Sequence, residues 1–517
     1  MSNEERLTTL TQKLQIPPNF LRIEHITDTA AISELERWKR DAASVLQDIL
    51  HIIKTKQSLP VDTQSDVLFR TLPFASNHIL DRDGIIQVSY GDEPWMSPDS
   101  RYAADAIISS PVLSHSLNLI TQILEYKLKP IFKLSPHPNL HAETGRKVTN
   151  RPGGPLAVHD YYEEQKWKEY PGVEKIVLWC ISGLQENVYE TMWHLLIPPV
   201  MTLLDDFEAR NKLHGVIIVR QMLSNVPKVL LRRTGVDGLL RQSLKTSLSH
   251  LQSPETPRLL KLAIETSVSL TLLTTSPSPG GKPSPDRFNE LSSLLGEGII
   301  TGIWLYAEDK PDAVNATFEA LPFLLKELGI GSIRFMKVVV LSTSSQNRIL
   351  TAQVKPLIPQ LTHTLIPRPL VEPDTTMQLS AIKVLYTLLD VCEPRIEPWK
   401  ETILNAIGRC WVGLMDQERG APNTGPFFSD APVVPALNQS TVPRNESQST
   451  EVKKGLQMLC MKMAEICPSV TQVLCLVLCR FRLFTSQRPT QNEFQKLLQA
   501  DKELFEDLLP RHGRVAT

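Results

Sequence analysis

Residues Leu195 to Leu223, LLIPPVMTLLDDFEARNKLHGVIIVRQML, constrain the fold more than any other stretch. Leu195, Pro198, Pro199, Met201, Leu203 and Leu204 form one apolar face, the acidic pair Asp205 and Asp206 interrupts it, and Leu213, Val216, Ile217, Val219, Met222 and Leu223 form a second. Apolar residues at this spacing mark two amphipathic helices, and the polar break marks a tight turn between them. Helices this short are marginal in water unless packing stabilises them. A two-helix unit therefore implies neighbours built the same way, and the fold class expected is all-α, an α-solenoid of HEAT/armadillo-like repeats with few or no strands.

Other stretches fit that plan. Ala30 to Thr55 carries Ile32, Leu35, Trp38, Ala42, Val45, Ile49 and Ile53 on one broad face, and Thr63 to Leu72 is its expected partner. Residues 75–100 read as a long loop, with Ile85, Ile86, Val88 and Tyr90 as a brief extended piece, and two helices meet near Pro111 within 102–134. VEKIVLWCISGL begins a helix that runs toward Trp193. Pro322, Pro359 and Pro398 are 37 and 39 residues apart, each expected near the start of an apolar helix; Pro199 to Gly238 is 39 and Pro285 to Pro322 is 37. Only Gly238 to Pro285 is longer, at 47, and it holds the low-complexity TTSPSPGGKPSP. A period near 40 belongs to the HEAT and armadillo class.

The segments expected are an N-terminal helical region at 1–134, a Pro/Gly/His-rich loop at 135–172, HEAT-like repeats at 173–415, a disordered insertion at 416–450, and C-terminal helices at 451–517. A loop of the length of 135–172 is usually functional or disordered. The insertion is rich in Pro, Asn and Ser and poor in periodic apolar residues. The terminal run VLCLVLCRF is more apolar than a solvent-facing cap, which makes 451–517 the expected ground for association.

Composition narrows the function classes. Proline, at 39 of 517 residues, is enriched and glycine, at 23, is sparse, which suits many short helices rather than Gly-rich nucleotide loops. Lys plus Arg, 55, balances Asp plus Glu, 56, so no global field draws in nucleic acid or an anionic membrane. The expected partner is another protein. MSNEERLTTL lacks the regions of a signal peptide and no apolar run is long enough to span a bilayer, so a soluble intracellular chain is expected. Seven cysteines, with Cys460, Cys467, Cys475 and Cys479 in apolar helical patterns, suit reduced core thiols.

Candidate chemistry is thin. Asp206 and Lys212, six residues apart across the turn, are read as structural, the Asp capping the second helix or pairing with a base of a neighbouring repeat, with a direct partner contact as the alternative. His137, His141 and His159, with Asp160 nearby, lie in a His-rich loop without the CxxC or HExxH spacing of a zinc site, so no metal is expected. GGKP at 280–283 has Pro after Lys282 where a P-loop needs Ser or Thr, and GIGS at 329–332 lacks a third glycine. No GxSxG elbow occurs, and neither catalysis nor a cofactor is expected. Ser276, Ser278 and Ser284 precede prolines and are phosphorylation candidates or inert linker. Arg232, Arg233, Arg241 and Lys245 form the most basic run, without interleaved aromatics, and read as a solvated face rather than a nucleic-acid surface.

EQKWKEYPGV, VLWC and PPVMTLLDDFEARNKLHGV together resemble the core of the Tti-two family, subunits of the Triple T complex with Tel-two and Tti-one. Gln165, Trp167, Lys168, Leu178, Trp179, Cys180, Pro198, Pro199, Leu204, Asp205, Asp206, Lys212 and Gly215 carry the resemblance, and PHPNLHAETGRK and RPGGPLA upstream fit the same family. The resemblance implies a non-catalytic α-solenoid scaffold, found in cytoplasm and nucleus. It implies Tel-two and Tti-one homologues as partners, together with the ninety-kilodalton heat-shock chaperone and the PIKK kinases it matures. No partner-contact residue carries over. The alternative is another HEAT-repeat adaptor, of transport-receptor or phosphatase-scaffold type.

Overall fold

The computed structural model describes residues 3–20, 29–76, 78–81, 84–87, 93–141, 143–148, 165–275, 284–307, 309–336, 339–341, 352–354, 356–367, 374–418, 446–470 and 508. By internal packing the chain divides into two units, one of Met1–Ser247 with Leu272–Thr274, the other of Leu248–Thr271 with Thr275–Thr517.

The first unit opens with α1 (Asn3–Lys13), α2 (Thr29–Thr55) and α3 (Val61–Thr71). The periodic apolar face of α2 supplies buried Leu35, Ala42, Leu46, Ile49 and Ile53, while Ile32, at its open end, stays exposed. A short antiparallel ribbon follows, β1 (His78–Asp81) with β2 (Gly84–Gln87), pairing Ile79 with Ile86 and Leu80 with Ile85. The extended piece expected near Ile85 is thus one arm of a hairpin.

A reciprocal cap between Ser97 and Ser100 starts α4 (Pro98–Ile108), and α4 packs on α2. Next, α5 (Leu117–Gln122) runs through a π-helical stretch, Ile123–Leu128, into α6 (Lys129–Lys133). There the amide of Lys129 reaches the carbonyl of Leu124, five residues back, just before Pro130, which has no N–H to continue the ladder.

The remaining helices of this unit are α7 (Val173–Ser182), α8 (Tyr189–Leu204), α9 (Ala209–Leu223), α10 (Lys228–Thr234) and α11 (Val236–Ser247). The helix expected to reach Trp193 stops at Ser182, and Trp193 belongs to α8. Gly183 and the Gln185 to Val188 turn break the rod. Helix α9 packs against both α7 and α8.

The second unit holds most of α12 (Thr256–Thr274), then α13 (Pro285–Ser293) continuing into π-helical Leu294–Trp304, and α14 (Pro311–Leu328). A ribbon of β3 (Val339–Leu341) and β4 (Ala352–Val354) precedes α15 (Leu357–Leu365), α16 (Thr375–Val391), α17 (Lys400–Glu418) and α18 (Glu446–Ile466). Helix α16 packs on both α14 and α18, burying Leu321, Leu325, Leu385, Leu388, Leu456 and Leu459. The described chain is overwhelmingly helical, and its two short ribbons are the few strands that the all-α expectation allowed. The second was unanticipated because VVV is a β-branched run too short to separate from a buried helix by period.

The register drawn through proline also needs correction. Pro322 lies inside α14 and Pro199 late in α8, whereas Pro285 and Pro359 sit in first turns and Pro398 just before α17. Proline is tolerated in a first turn but costs a hydrogen bond in a helix interior, so one residue type marks two kinds of place. The intervals of 37 and 39 residues join non-equivalent positions. The expected insertion falls mostly on 419–445 and the terminal run on 473–481, both outside the described residues.

Candidate functional site

The turn between α8 and α9 gathers most of the residues that carried the family resemblance. Gly215 lets the two helices touch: a Cβ there would lie 2.4 Å from the backbone of Leu204. Lys212, 3% exposed, bends back over the turn and donates from Nζ to the Leu204 carbonyl at 2.8 Å, closing an end that α8 leaves open. Burial holds the Lys212 ammonium below its ordinary pKa, against the pull of Asp205 and Asp206.

Asp206 is fully buried and acts one step earlier than the expected cap. Its Oδ1 accepts from the amide of Glu208 at 2.9 Å and from Asn211 Nδ2 at 3.2 Å. Glu208 is itself the residue that precedes α9, and it makes no side-chain cap. The other oxygen of Asp206 is 2.9 Å from Lys168 Nζ, an ion pair without hydrogen-bond alignment. The base that meets Asp206 thus comes from the 135–172 segment. Lys168 also reaches Glu208 Oε1 at 2.8 Å and lies 4.2 Å from the ring centre of Phe207, an exposed aromatic.

The loop at 135–172 is, where described, a strap built onto these helices. His137 is buried, accepts the Asn139 amide at Nδ1 (3.2 Å) and so places its ring hydrogen on Nε2, facing Asp205 Oδ2 at 2.9 Å. Burial alone would raise the Asp205 carboxyl. The hydrogen bond from His137, with Ser243 and Lys212, reverses that and holds it below its usual value. Gly145, at φ 62°, turns the strap so that its carbonyl takes Trp193 Nε1 at 3.2 Å, a conformation other residues reach only with strain. Lys147 donates its amide to the Thr234 carbonyl at 3.0 Å.

Further along the segment, Trp167 stacks on Phe132 with centres 6.3 Å apart and donates to the Gln165 amide oxygen. Trp179 stacks on His115 at 4.1 Å, and Cys180 is fully buried in α7.

The histidines set against a metal therefore have other engagements. His137 is held by Asp205, His141 shapes the turn through its backbone to Arg146 and Gly145, and His159 and Asp160 lie outside the described residues. Among the described residues no three His, Cys, Asp or Glu converge as a metal set. Cys460 and Cys467 are buried free thiols, pushed up to about 12, as is Cys410, and Cys392 to about 11. Cys475 and Cys479 lie outside the described residues, as do Ser276, Ser278 and GGKP at 280–283. Ser284 caps α13 by accepting the Arg287 amide at 3.2 Å. GIGS forms the start of a 3₁₀ turn after α14. In the basic run, Arg233 pairs with Glu190 at 2.5 Å and Arg241 with Asp237 at 3.3 Å, which leaves less free charge than the sequence suggests.

A second buried polar cluster was not foreseen. Lys175, 6% exposed in α7, donates to the carbonyls of Ala75 (2.8 Å) and Pro73 (3.2 Å), and burial holds its pKa below normal against Glu174, Glu93 and Asp105. Burial first, and then the like charge of Glu93, push the Glu174 carboxyl up to about 7. Glu93 is paired with Arg210 at 2.6 Å. The one available signal was a charged pair inside VEKIVLWC.

A model described as the Tti2 family matches residues 84–352, just over half of the chain and all of the turn and strap. A stretch of 163 residues is 23% identical to TELO2-interacting protein 2 of Rattus norvegicus, covering 32% of this chain and 28% of that relative's length. No solved structure matches.

Proposed function

The chain belongs to the Tti2 family, and from that premise we propose that it is a non-catalytic scaffold subunit of the Triple T co-chaperone complex. Its partners in this reading are the Tel-two and Tti-one homologues. The complex would act with the ninety-kilodalton heat-shock chaperone on PIKK kinases, in cytoplasm and nucleus. The observation that carries the reading is the family match across 84–352, which contains the turn whose residues each have a role in joining α8 to α9. Two further features agree with it. The rat relative is named for an interaction with TELO2, and within each unit helices pack on the next or next-but-one helix in sequence, as stacked helical repeats do.

The test is affinity purification of the full chain from cells. Recovery of Tel-two and Tti-one homologues together with PIKKs is expected. Recovery of transport cargo or phosphatase subunits without them would replace this reading with that of another helical adaptor.

A further inference from the structure

A cavity of about 210 Å³ lies in the first unit between the segment that leaves α1, the end of α3 and the start of α7. Its walls join apolar surface from Leu14, Ile16, Phe69 and Ile176 to a comparable share of polar surface, and two charged side chains line it, Arg70 and Glu169. An apolar cavity of roughly 150 Å³ already takes a benzene ring, so this one has room for a branched aliphatic or aromatic side chain.

Arg70 is the unusual member. It is half-buried, and among the described residues its guanidinium has no ion pair or hydrogen bond, only the face of Phe69 at 5.6 Å. Asp66, one turn earlier, is held by Lys127 at 2.5 Å. Burial pushes the Arg70 guanidinium down against the charges of Asp66 and Tyr170. A half-buried guanidinium without a carboxylate presents a fork of donors that a carboxylate can engage. Glu169 is exposed and offers only acceptors. The complementary ligand therefore presents a carboxylate, N–H donors and an apolar group together, and an extended peptide carries all three.

We propose that this cavity docks an acidic-apolar peptide of a partner protein, an Asp followed by Leu or Phe, with the apolar side chain inside, the Asp carboxylate on Arg70 and backbone N–H groups on Glu169. The inference rests on the scaffold reading only in taking the ligand to be protein. It is tested on the isolated chain, so its failure leaves the co-purification result untouched.

The probe is a fluorescein-labelled hexapeptide, Gly-Ser-Asp-Leu-Ser-Gly, titrated with the full chain and read by anisotropy. Saturable binding is expected, weakened at least tenfold when Asp is exchanged for Asn or Leu for Ser in the peptide. Arg70→Leu and, independently, Ile176→Phe, which fills the cavity, are each expected to weaken binding at least tenfold, with the helical circular dichroism of both variants unchanged. Arg70→Lys is expected to fall between the wild type and Arg70→Leu, because a point charge replaces the fork. Equal binding of the Asp and Asn peptides, undiminished binding by folded Arg70→Leu, or no saturable binding by the wild type would overturn the proposal. Displacement of the peptide by free 4-methylpentanoate at equal concentration would overturn it too, by making the ligand a small acid.

Discussion

Two buried polar clusters in the first unit differ in how their charges are matched. At the α8–α9 turn, Asp205 faces His137, Asp206 faces Lys168 and Lys212 closes the Leu204 carbonyl, so each buried charged group has a polar partner. Under α7, Lys175 satisfies two backbone carbonyls, but Glu174 is pushed up to about 7 by burial and the like charge of Glu93. The turn is electrostatically settled and the α7 cluster is in tension. Burial opposes the charged form in both clusters, and the partners decide whether that opposition is offset. The two clusters are expected to answer pH in opposite directions.

The largest effect expected is at Lys212. Lys212→Met strands the Leu204 carbonyl and leaves Asp205 and Asp206 without a buried positive neighbour, at a cost of about 3 kcal/mol, read as a fall in the urea midpoint. Lys175→Met sharpens the contrast. Its cost should be smaller at pH 5.5 than at pH 8, because a protonated Glu174 has less need of the ammonium. A Lys175→Met loss that is independent of pH would mean that the two clusters are held alike.

The next effect tests the tension directly. With its folded pKa near 7, above the ordinary 4.5, Glu174 binds more protons in the native than in the unfolded chain between those values. Stability therefore falls as pH rises through that window. Glu174→Gln removes the slope and is expected to raise the urea midpoint at pH 8 by the equivalent of about 1 kcal/mol, with a smaller gain at pH 5.5. A loss of stability at pH 8 would show that the Glu174 charge is matched after all.

That difference in matching also separates what the sequence discloses from what it hides. The turn was legible because Asp205 and Asp206 interrupt two periodic apolar faces, a purely local signal. In sequence His137 stands only as one histidine of a His-rich loop, because its partner Asp205 is 68 residues away, and contacts at that separation leave no local trace. Lys175 and Glu174 sit in α7 as two charges in an apolar run, but the burial of Glu174 comes from packing, and Glu93, which adds to it, comes from a different segment. The sequence around Pro322 suggests a helix start, where proline is usual, yet Pro322 is interior because the packing of α14 outweighs one missing hydrogen bond. The break at Gly183 was missed because the apolar pattern resumes within a few residues. The resemblance was carried by residues of the turn and strap, where side-chain identity is fixed by specific partners rather than by hydrophobicity alone.

A third test uses acid. Asp205 is held below its usual carboxyl value, so its contribution is present above the unfolded pKa and is lost as pH falls through the lower folded one. His137→Ala removes the hydrogen bond that opposes burial. It is expected to cost about 1 to 2 kcal/mol at pH 7 and to move the onset of acid unfolding, followed by tryptophan fluorescence, to higher pH. An unchanged onset would show that Ser243 and Lys212 suffice for Asp205.

The smallest effect separates the two roles of Asp206. Its Oδ1 organises the start of α9 through the Glu208 amide, while its Oδ2 meets Lys168, a side chain that keeps Glu208 as a second carboxylate and is partly open to water. Asp206→Asn retains an oxygen for the amide and loses only the charge on Lys168, whose remaining pairing limits the loss. Asp206→Ala removes both and leaves the amide of Glu208 without its acceptor, at a cost of about 1 kcal/mol, in the range of a lost helix-start oxygen. The Asn variant should thus lie closer to the wild type than the Ala variant in thermal midpoint, and its deficit should not shrink in high salt, because buried pairs are screened little. Equal losses for Asn and Ala would mean that the Lys168 ion pair, rather than the turn's hydrogen bond, is what Asp206 supplies, and the settled character of this turn would then rest on the strap.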